Sequence, residues 1–254
     1  MSTGLRRFED QVVLVTGATS GLGEACAMRL AEEGAHLVLT GRRAERCEEV
    51  AAAVRALGAE ALVLPGDVTD PEHPDRLVAA TLERFGRLDG AVNNAGVSPP
   101  PTPTVATSDE LWSATLDVNL NGVFRCQRAE LGVMVPAGHG AIVNVASYAS
   151  TTVQVRGVSS YAAAKHAVLG LTRAAARDHA ADGIRVNAVG PGHMRTAMID
   201  RLMDPEGERR LSNRIPMGRI SEPSEIAGVV AFLLSSDASF VTGQIVVADG
   251  GLSI

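Results

Sequence analysis

Tyr161 and Lys165, four residues apart in Tyr161-Ala162-Ala163-Ala164-Lys165, have the types and spacing for acid–base chemistry. That spacing places two side chains side by side on one helix face. An unperturbed phenol has a pKa of about 10 and transfers protons poorly near neutrality, whereas an adjacent ammonium favours phenolate. Lys165 is also the only lysine; every other one of the 23 basic residues is arginine. A compact ammonium on a flexible stem is not interchangeable with a planar guanidinium, so position 165 reads as one that needs an ammonium. The plainer reading is a helix-surface pair. Upstream, Asn144-Val145-Ala146-Ser147 leaves a predicted strand and brings a hydroxyl to the same sheet edge.

A second group of residues suits an anion. Thr16-Gly17-Ala18-Thr19-Ser20-Gly21-Leu22-Gly23 follows a predicted strand and opens a helix. Gly17, Gly21 and Gly23 let backbone turn sharply and approach a pyrophosphate, which the free N–H groups and dipole of the helix favour. A tight turn alone would also use these glycines. Where an acidic residue would select the ribose hydroxyl of NAD, the chain has Thr40-Gly41-Arg42-Arg43. Arg42 and Arg43 fit the 2′-phosphate of NADP, or simply start a solvated helix. Asp67-Val68 follows the third strand, where the carboxylate either accepts from adenine or caps the next helix. Asn93-Asn94-Ala95-Gly96 follows the fourth and lets backbone pass close to a ribose, or forms an ordinary turn.

These groups need a scaffold. Apolar runs at Val12–Val15, Leu37–Leu39, Leu62–Leu64 and Leu88–Val92 read as strands, separated by helical patterns at Gly21–Glu33, Ala44–Leu57 and Glu72–Phe85. The alternation continues with helix Ser108–Val133, strand Ala141–Val145, helix Ser160–Ala181, strand Ile184–Val189, helix Glu222–Leu234 and strand Ile245–Ala248. Such order builds a parallel sheet covered on both faces. A chain of 254 residues with 46% hydrophobic content is expected to fold as one domain, 1–254, without disulfides or a metal site. Cys26, Cys47 and Cys126 read as reduced structural thiols. The net charge of −6 argues against nucleic acid as the main partner. No apolar run approaches the roughly 20 residues that span a bilayer, and Met1–Asp10 is too charged for a secretory signal. A cytoplasmic protein is expected.

Taken together, TGATSGLG, NNAG, Ser147 ahead of YAAAK, Pro191-Gly192 and Asp249-Gly250-Gly251 resemble the short-chain dehydrogenase/reductase family over essentially the whole chain. The resemblance implies a single-domain Rossmann fold: α/β, with a doubly wound, seven-stranded parallel sheet in the order 3-2-1-4-5-6-7. It implies a homo-oligomer, a tetramer or a dimer, built through the long helices. By the family pattern, Tyr161 is the acid or base, Ser147 orients the reacting oxygen, Lys165 holds the nicotinamide ribose and lowers the Tyr161 pKa, and Asn119 steadies a proton-relay water. Asn119 also reads as a helix-kink amide. Ser20, Leu22, Asn94, Ala95, Gly96, Pro191, Gly192, Met194 and Thr196 match cofactor positions.

The family implies hydride transfer between NADP(H) and a carbonyl or secondary alcohol. The alternatives are an NAD(H)-preferring dehydrogenase, an epimerase or dehydratase with retained cofactor, and a non-catalytic NADP sensor. Thirteen residues separate Ser147 from Tyr161, one more than is usual in the family. The substrate loops are expected at 98–104, 148–160 and 193–215. Thr151, Val153, Val155 and Arg156 are candidates for the lining of the 148–160 loop, and the apolar Val153, Val155, Met194, Met198 and Met203 suggest a largely apolar pocket. His193 is a substrate contact or a satisfied cleft group, and Tyr148 covers the substrate or packs. The proline-rich 98–104 segment reads as a stiff surface loop.

Overall fold

The computed structural model describes residues 6–153, 155–196 and 204–254. Seven strands, β1 (Val12–Thr16), β2 (His36–Thr40), β3 (Ala61–Val63), β4 (Gly90–Asn93), β5 (Gly140–Val145), β6 (Ile184–Pro191) and β7 (Ile245–Ala248), form one sheet in the order β3-β2-β1-β4-β5-β6-β7. Each strand pairs with its neighbours in parallel. This is the expected doubly wound Rossmann sheet, in the expected order.

Successive strand residues point to opposite faces, and both faces here are covered. Val13 and Val15 of β1 join one core with α1 (Gly21–Glu32), α2 (Ala44–Ala56) and a late helix, Pro223–Leu234. Val12 and Leu14 join the other, with α3 (His73–Phe85) and the helices Val123–Ala137 and Ser159–His179. Burial on both sides makes the strands continuous apolar runs. Strand order reverses between β1 and β4, so a crevice opens beyond their carboxyl ends.

Two regions differ from the sequence reading. The single helix expected over Ser108–Val133 is α4 (Asp109–Leu116), a π-helical stretch (Asp117–Gly122) and α5 (Val123–Ala137). A short helix α7 (Pro205–Ser212) lies between α6 (Ser159–His179) and α8 (Pro223–Leu234), within the span read as a 193–215 loop. Its residues bury nothing, so hydrophobic periodicity is silent there, although Asp204 caps it and Pro205 opens it. The proline-rich loop lies at the surface, as expected, and is tied down there: the Thr102 N–H donates to the Gly157 carbonyl at 2.8 Å. No helix among the described residues is long and apolar enough to cross a membrane.

Beneath the crevice lies a buried polar network. Asn93 on β4 donates through Nδ2 to Asn144 Oδ1 on β5 at 3.1 Å and to Glu130 Oε2 on α5 at 2.9 Å. Asn144 Nδ2 donates to Gln127 Oε1 and Thr172 Oγ1, at 2.8 and 2.9 Å. Glu130 is almost wholly buried, and among the described residues no basic side chain is one of its hydrogen-bond partners. Burial pushes its carboxyl up from 4.5 to about 8, against the opposing hydrogen bond from Asn93. The folded protein therefore holds a proton on Glu130 that the unfolded chain releases above its ordinary value. Stability falls as pH rises from about 4.5 to about 8, by at most about 1.4 kcal/mol per pH unit from this group, and the contribution is flat beyond. Denaturant unfolding of Glu130→Gln, which cannot ionise, should lack that slope; an unchanged slope would show that Glu130 is charged in the fold.

Candidate active site

The chemical end is assembled where β5 leaves the sheet and α6 begins. Ser147 follows β5 in an extended conformation (φ −164°), and Tyr148–Ser150 form one 3₁₀ turn after it. Tyr161 lies in the first turn of α6 and Lys165 one turn later, so both meet the β5 exit. Lys165 is 3% exposed; its Nζ donates to the Val145 carbonyl at 2.7 Å and stands 5.8 Å from the Tyr161 ring centroid. A surface pair is thus excluded.

Burial moves the two groups in opposite directions, each toward its neutral form. It pushes the Tyr161 phenol up from 10, an effect opposed by a hydrogen bond with Ser147 and reinforced by Tyr148. It pulls the Lys165 ammonium down to about 8. One N–H of the Lys165 ammonium is directed to the Val145 carbonyl, and the contact that lowers the phenol here is Ser147.

Asn119 sits in the π-helical stretch and is fully buried. Its Nδ2 donates to the carbonyls of Val97 and Thr115, at 2.9 and 3.1 Å, and its Oδ1 accepts from the Val97 N–H at 3.1 Å. The side chain therefore joins the widened helical turn to the β4 exit, as the kink-amide reading expects. Gly96 lies between: a Cβ there would stand 2.9 Å from Asn119 Oδ1 and 3.7 Å from Lys165 Nζ.

The cofactor end is a glycine cradle. Gly17 has φ +64°, and a Cβ on it would stand 2.9 Å from Ala95 Cα. On Gly23 a Cβ would lie 2.2 Å from the Gly17 carbonyl oxygen. Asn94 holds this turn from outside, its Nδ2 donating to the carbonyls of Thr16 and Gly17, at 3.0 and 3.1 Å. Ser20 precedes α1 but its side chain caps no N–H. A helix start with unsatisfied donors beside such close-packed backbone fits a pyrophosphate.

At the end of β2, Arg42 and Arg43 are both exposed. Arg43 Nη2 donates to the Thr19 carbonyl and hydroxyl at 3.1 and 2.9 Å and to Ser20 Oγ at 3.1 Å, framing the cradle. Asp67 Oδ1 accepts from the N–H and hydroxyl of Thr69, at 3.0 and 2.9 Å, so it caps its turn while lining the cleft. One cleft of about 420 Å³ takes in Gly17, Ser20, Gly21, Leu22, Arg42, Arg43, Asp67 and Val68, with Ala95 and Thr196. A second of about 420 Å³ takes in Asn119, Ser147, Tyr161, Lys165, Pro191 and Gly192. Leu22, Asn94, Gly96 and Met194 line both. Gly23 lines neither; it shapes the turn from behind.

Among the expected pocket residues, Val153 and Val155 line the second cleft, while Thr151 and Arg156 are exposed and do not. Met198 and Met203 lie outside the described residues. Tyr148 and His193 both line it, their rings 5.6 Å apart and tilted. Burial and Arg214 pull the His193 imidazole below its ordinary value. The sequence reading missed Thr19, Val97, Val118 and Val158 in the walls, apolar and hydroxyl residues with no spacing to mark them, and Ser150, which a hydroxyl three residues after Ser147 could have flagged as a cap.

A family model described as enoyl-(acyl carrier protein) reductase matches residues 17–253. Levodione reductase of Leifsonia aquatica is 44% identical over 264 aligned positions, covering 99% of this chain and 97% of that protein. Cyclohexanol dehydrogenase of Acinetobacter sp. (strain SE19) is 41% identical, covering 96% and 95%. The crystal structure of levodione reductase matches with a TM-score of 0.93 at 42% identity, over 97% of this chain and 99% of that one.

Because Asn119 Oδ1 is held by the Val97 N–H, it has no room to yield to a methyl at position 96. Gly96→Ala should lower turnover roughly tenfold or more through misplacement of Asn119 and Lys165. Steady-state rates on folded protein check this, and a rate within twofold of wild type would show the contact to be slack.

Proposed function

The chain belongs to the short-chain dehydrogenase/reductase family, and on that premise we propose that it is an NADP(H)-preferring enzyme that interconverts ring ketones and secondary alcohols, with Tyr161 as acid and base. That it is an NAD(P)-dependent oxidoreductase acting on CH–OH or C=O groups follows from the family and its relatives. The observation that carries this reading is the meeting of Ser147, Tyr161 and Lys165 on the wall of a cleft that shares Leu22, Asn94, Gly96 and Met194 with the cleft of the glycine cradle.

A nicotinamide cofactor bound along the cradle would supply hydride to a carbonyl carbon, or accept it from an alcohol carbon. Tyr161 then donates its phenolic proton to the reduced oxygen, and takes it back in the oxidative direction. Ser147 donates to the same oxygen and holds it within reach. Lys165 keeps positive charge beside the phenol and binds the ribose, and Asn119 steadies the route by which the phenol regains its proton. We take residues 1–254 to act as one catalytic domain, since cradle and catalytic wall are neighbouring ends of one sheet.

Preference for NADP is supported by the two guanidinium groups at the β2 exit. An acidic side chain at Gly41, where NAD would be selected, meets the Thr19 methyl at 2.8 Å from its Cβ. The ring substrate is supported by a partly apolar cleft wall of Pro99, Pro101, Val153, Val155 and Met194, and by a 41% identical relative named for cyclohexanol. A homotetramer through the long helices is supported by Trp112 and Phe124, both exposed on α4 and α5.

Tyr161→Phe removes the transferable proton at little cost in volume. It should bind NADPH normally and lose reduction of cyclohexanone; near-normal reduction would sink the mechanism. For the cofactor, the NADPH-to-NADH ratio of kcat/KM should fall about 10- to 100-fold in Arg42→Ala/Arg43→Ala, the worth of one or two charge-assisted hydrogen bonds. An unchanged ratio would remove the 2′-phosphate assignment.

A further inference from the structure

Ser147 does not stand alone at the β5 exit. Ser150, 2% exposed, accepts from the Ser147 N–H at 3.2 Å and donates through the same Oγ to the Lys165 carbonyl at 2.7 Å. Ser147 Oγ in turn accepts from the Ala149 N–H at 3.1 Å, which leaves its hydroxyl hydrogen to be donated elsewhere. We propose that Ser150 is a positioning residue that fixes Ser147 against Tyr161 by bolting the β5 exit to the backbone of α6.

The segment 145–150 is joined to residue 165 at both ends. Val145 is held by the Lys165 side chain and Ser150 by the Lys165 main chain. The two joints differ in kind. The Val145 joint depends on where an ammonium points, and loosens when Nζ, which has two further N–H groups, is also drawn to another acceptor such as a ribose hydroxyl. The Ser150 joint uses a helix carbonyl that stays in place whatever Nζ does. Ser150 therefore keeps Ser147 in register with Tyr161, one turn away on the same helix, throughout a cycle in which Lys165 changes partners. It acts through Ser147: Ser150 is absent from the residues lining either cofactor or substrate cleft.

The inference rests on the reading of Ser147 and Tyr161 given above, and one measurement separates its failure from the failure of that reading. With Tyr148→Phe, Tyr161 becomes the only tyrosine in the chain, and ultraviolet absorbance of the phenolate reports its titration with no substrate or cofactor present. Lys165 and His193 also face this cleft and are unchanged across the series. In that background Ser147→Ala should raise the titration midpoint by about one pH unit, through loss of a hydrogen bond to the phenolate. Ser150→Ala should raise it in the same direction, and add almost nothing when Ser147→Ala is already present. A residue that merely stabilises the fold would lower the melting temperature and leave the midpoint alone. Ser150→Cys, which keeps the volume and donates weakly, should fall between, and carries the comparison if Ser150→Ala does not fold. A Ser150 variant that titrates as wild type while Ser147→Ala shifts overturns the positioning role. No shift in Ser147→Ala overturns the Ser147–Tyr161 contact itself. Cyclohexanol oxidation with NADP+ should show the same order in kcat, with the KM for NADP+ within about twofold of wild type.

Discussion

The burial of one ammonium group organises the chemical end of this protein. Lys165 is nearly sealed from water, and a buried cation is tolerated only where hydrogen bonds replace its hydration. The Val145 carbonyl supplies one, at the point where β5 ends. The same contact ties the start of α6 to the exit of β5. Burial draws this ammonium down to about 8.

Around that contact, the site is built from polar groups withheld from ordinary structural duties. Ser20 stands at the start of α1 but caps none of its donors, so they remain for a ligand. The helix through Asn119 widens into a π turn instead of continuing regularly, and the displaced amide reaches across to the β4 exit. Such departures from regular capping and coiling weaken the local fold, and they are supported by what surrounds them: two apolar cores on the faces of the sheet and the buried amide network of Asn93 and Asn144 directly below.

The core is itself tuned by the same trade between burial and hydrogen bonding. Asn93, adjacent in sequence to the cradle residue Asn94, turns its side chain inward to Glu130, while Asn94 turns outward to the Thr16 and Gly17 carbonyls. Alternation along the strand exit sends one amide to the core and the next to the cofactor turn. The tetrapeptide Asn93-Asn94-Ala95-Gly96 is therefore a joint between stability and binding, whereas its sequence reads as a cofactor turn or an ordinary one.

Sequence alone determined the order of strands and helices, because burial on both faces writes each strand as an unbroken apolar run and each helix as a 3.6-residue stripe. It also determined the pairing of Tyr161 with Lys165, since spacing on a helix is fixed by helix geometry, and the glycine cradle, since residues without Cβ are needed wherever backbone meets backbone. What it left open depended on contacts between distant segments. The break at Asp117–Gly122 carries no proline, and α7 carries no apolar stripe, so neither is written in local pattern. Asp67 as cap and cleft wall together, the direction of Lys165 Nζ, and the bridge from Ser147 through Ser150 to the Lys165 carbonyl exist only once β5 and α6 are packed. A hydrogen bond spanning fifteen residues has no local signature; tertiary packing alone decides which donor finds which carbonyl.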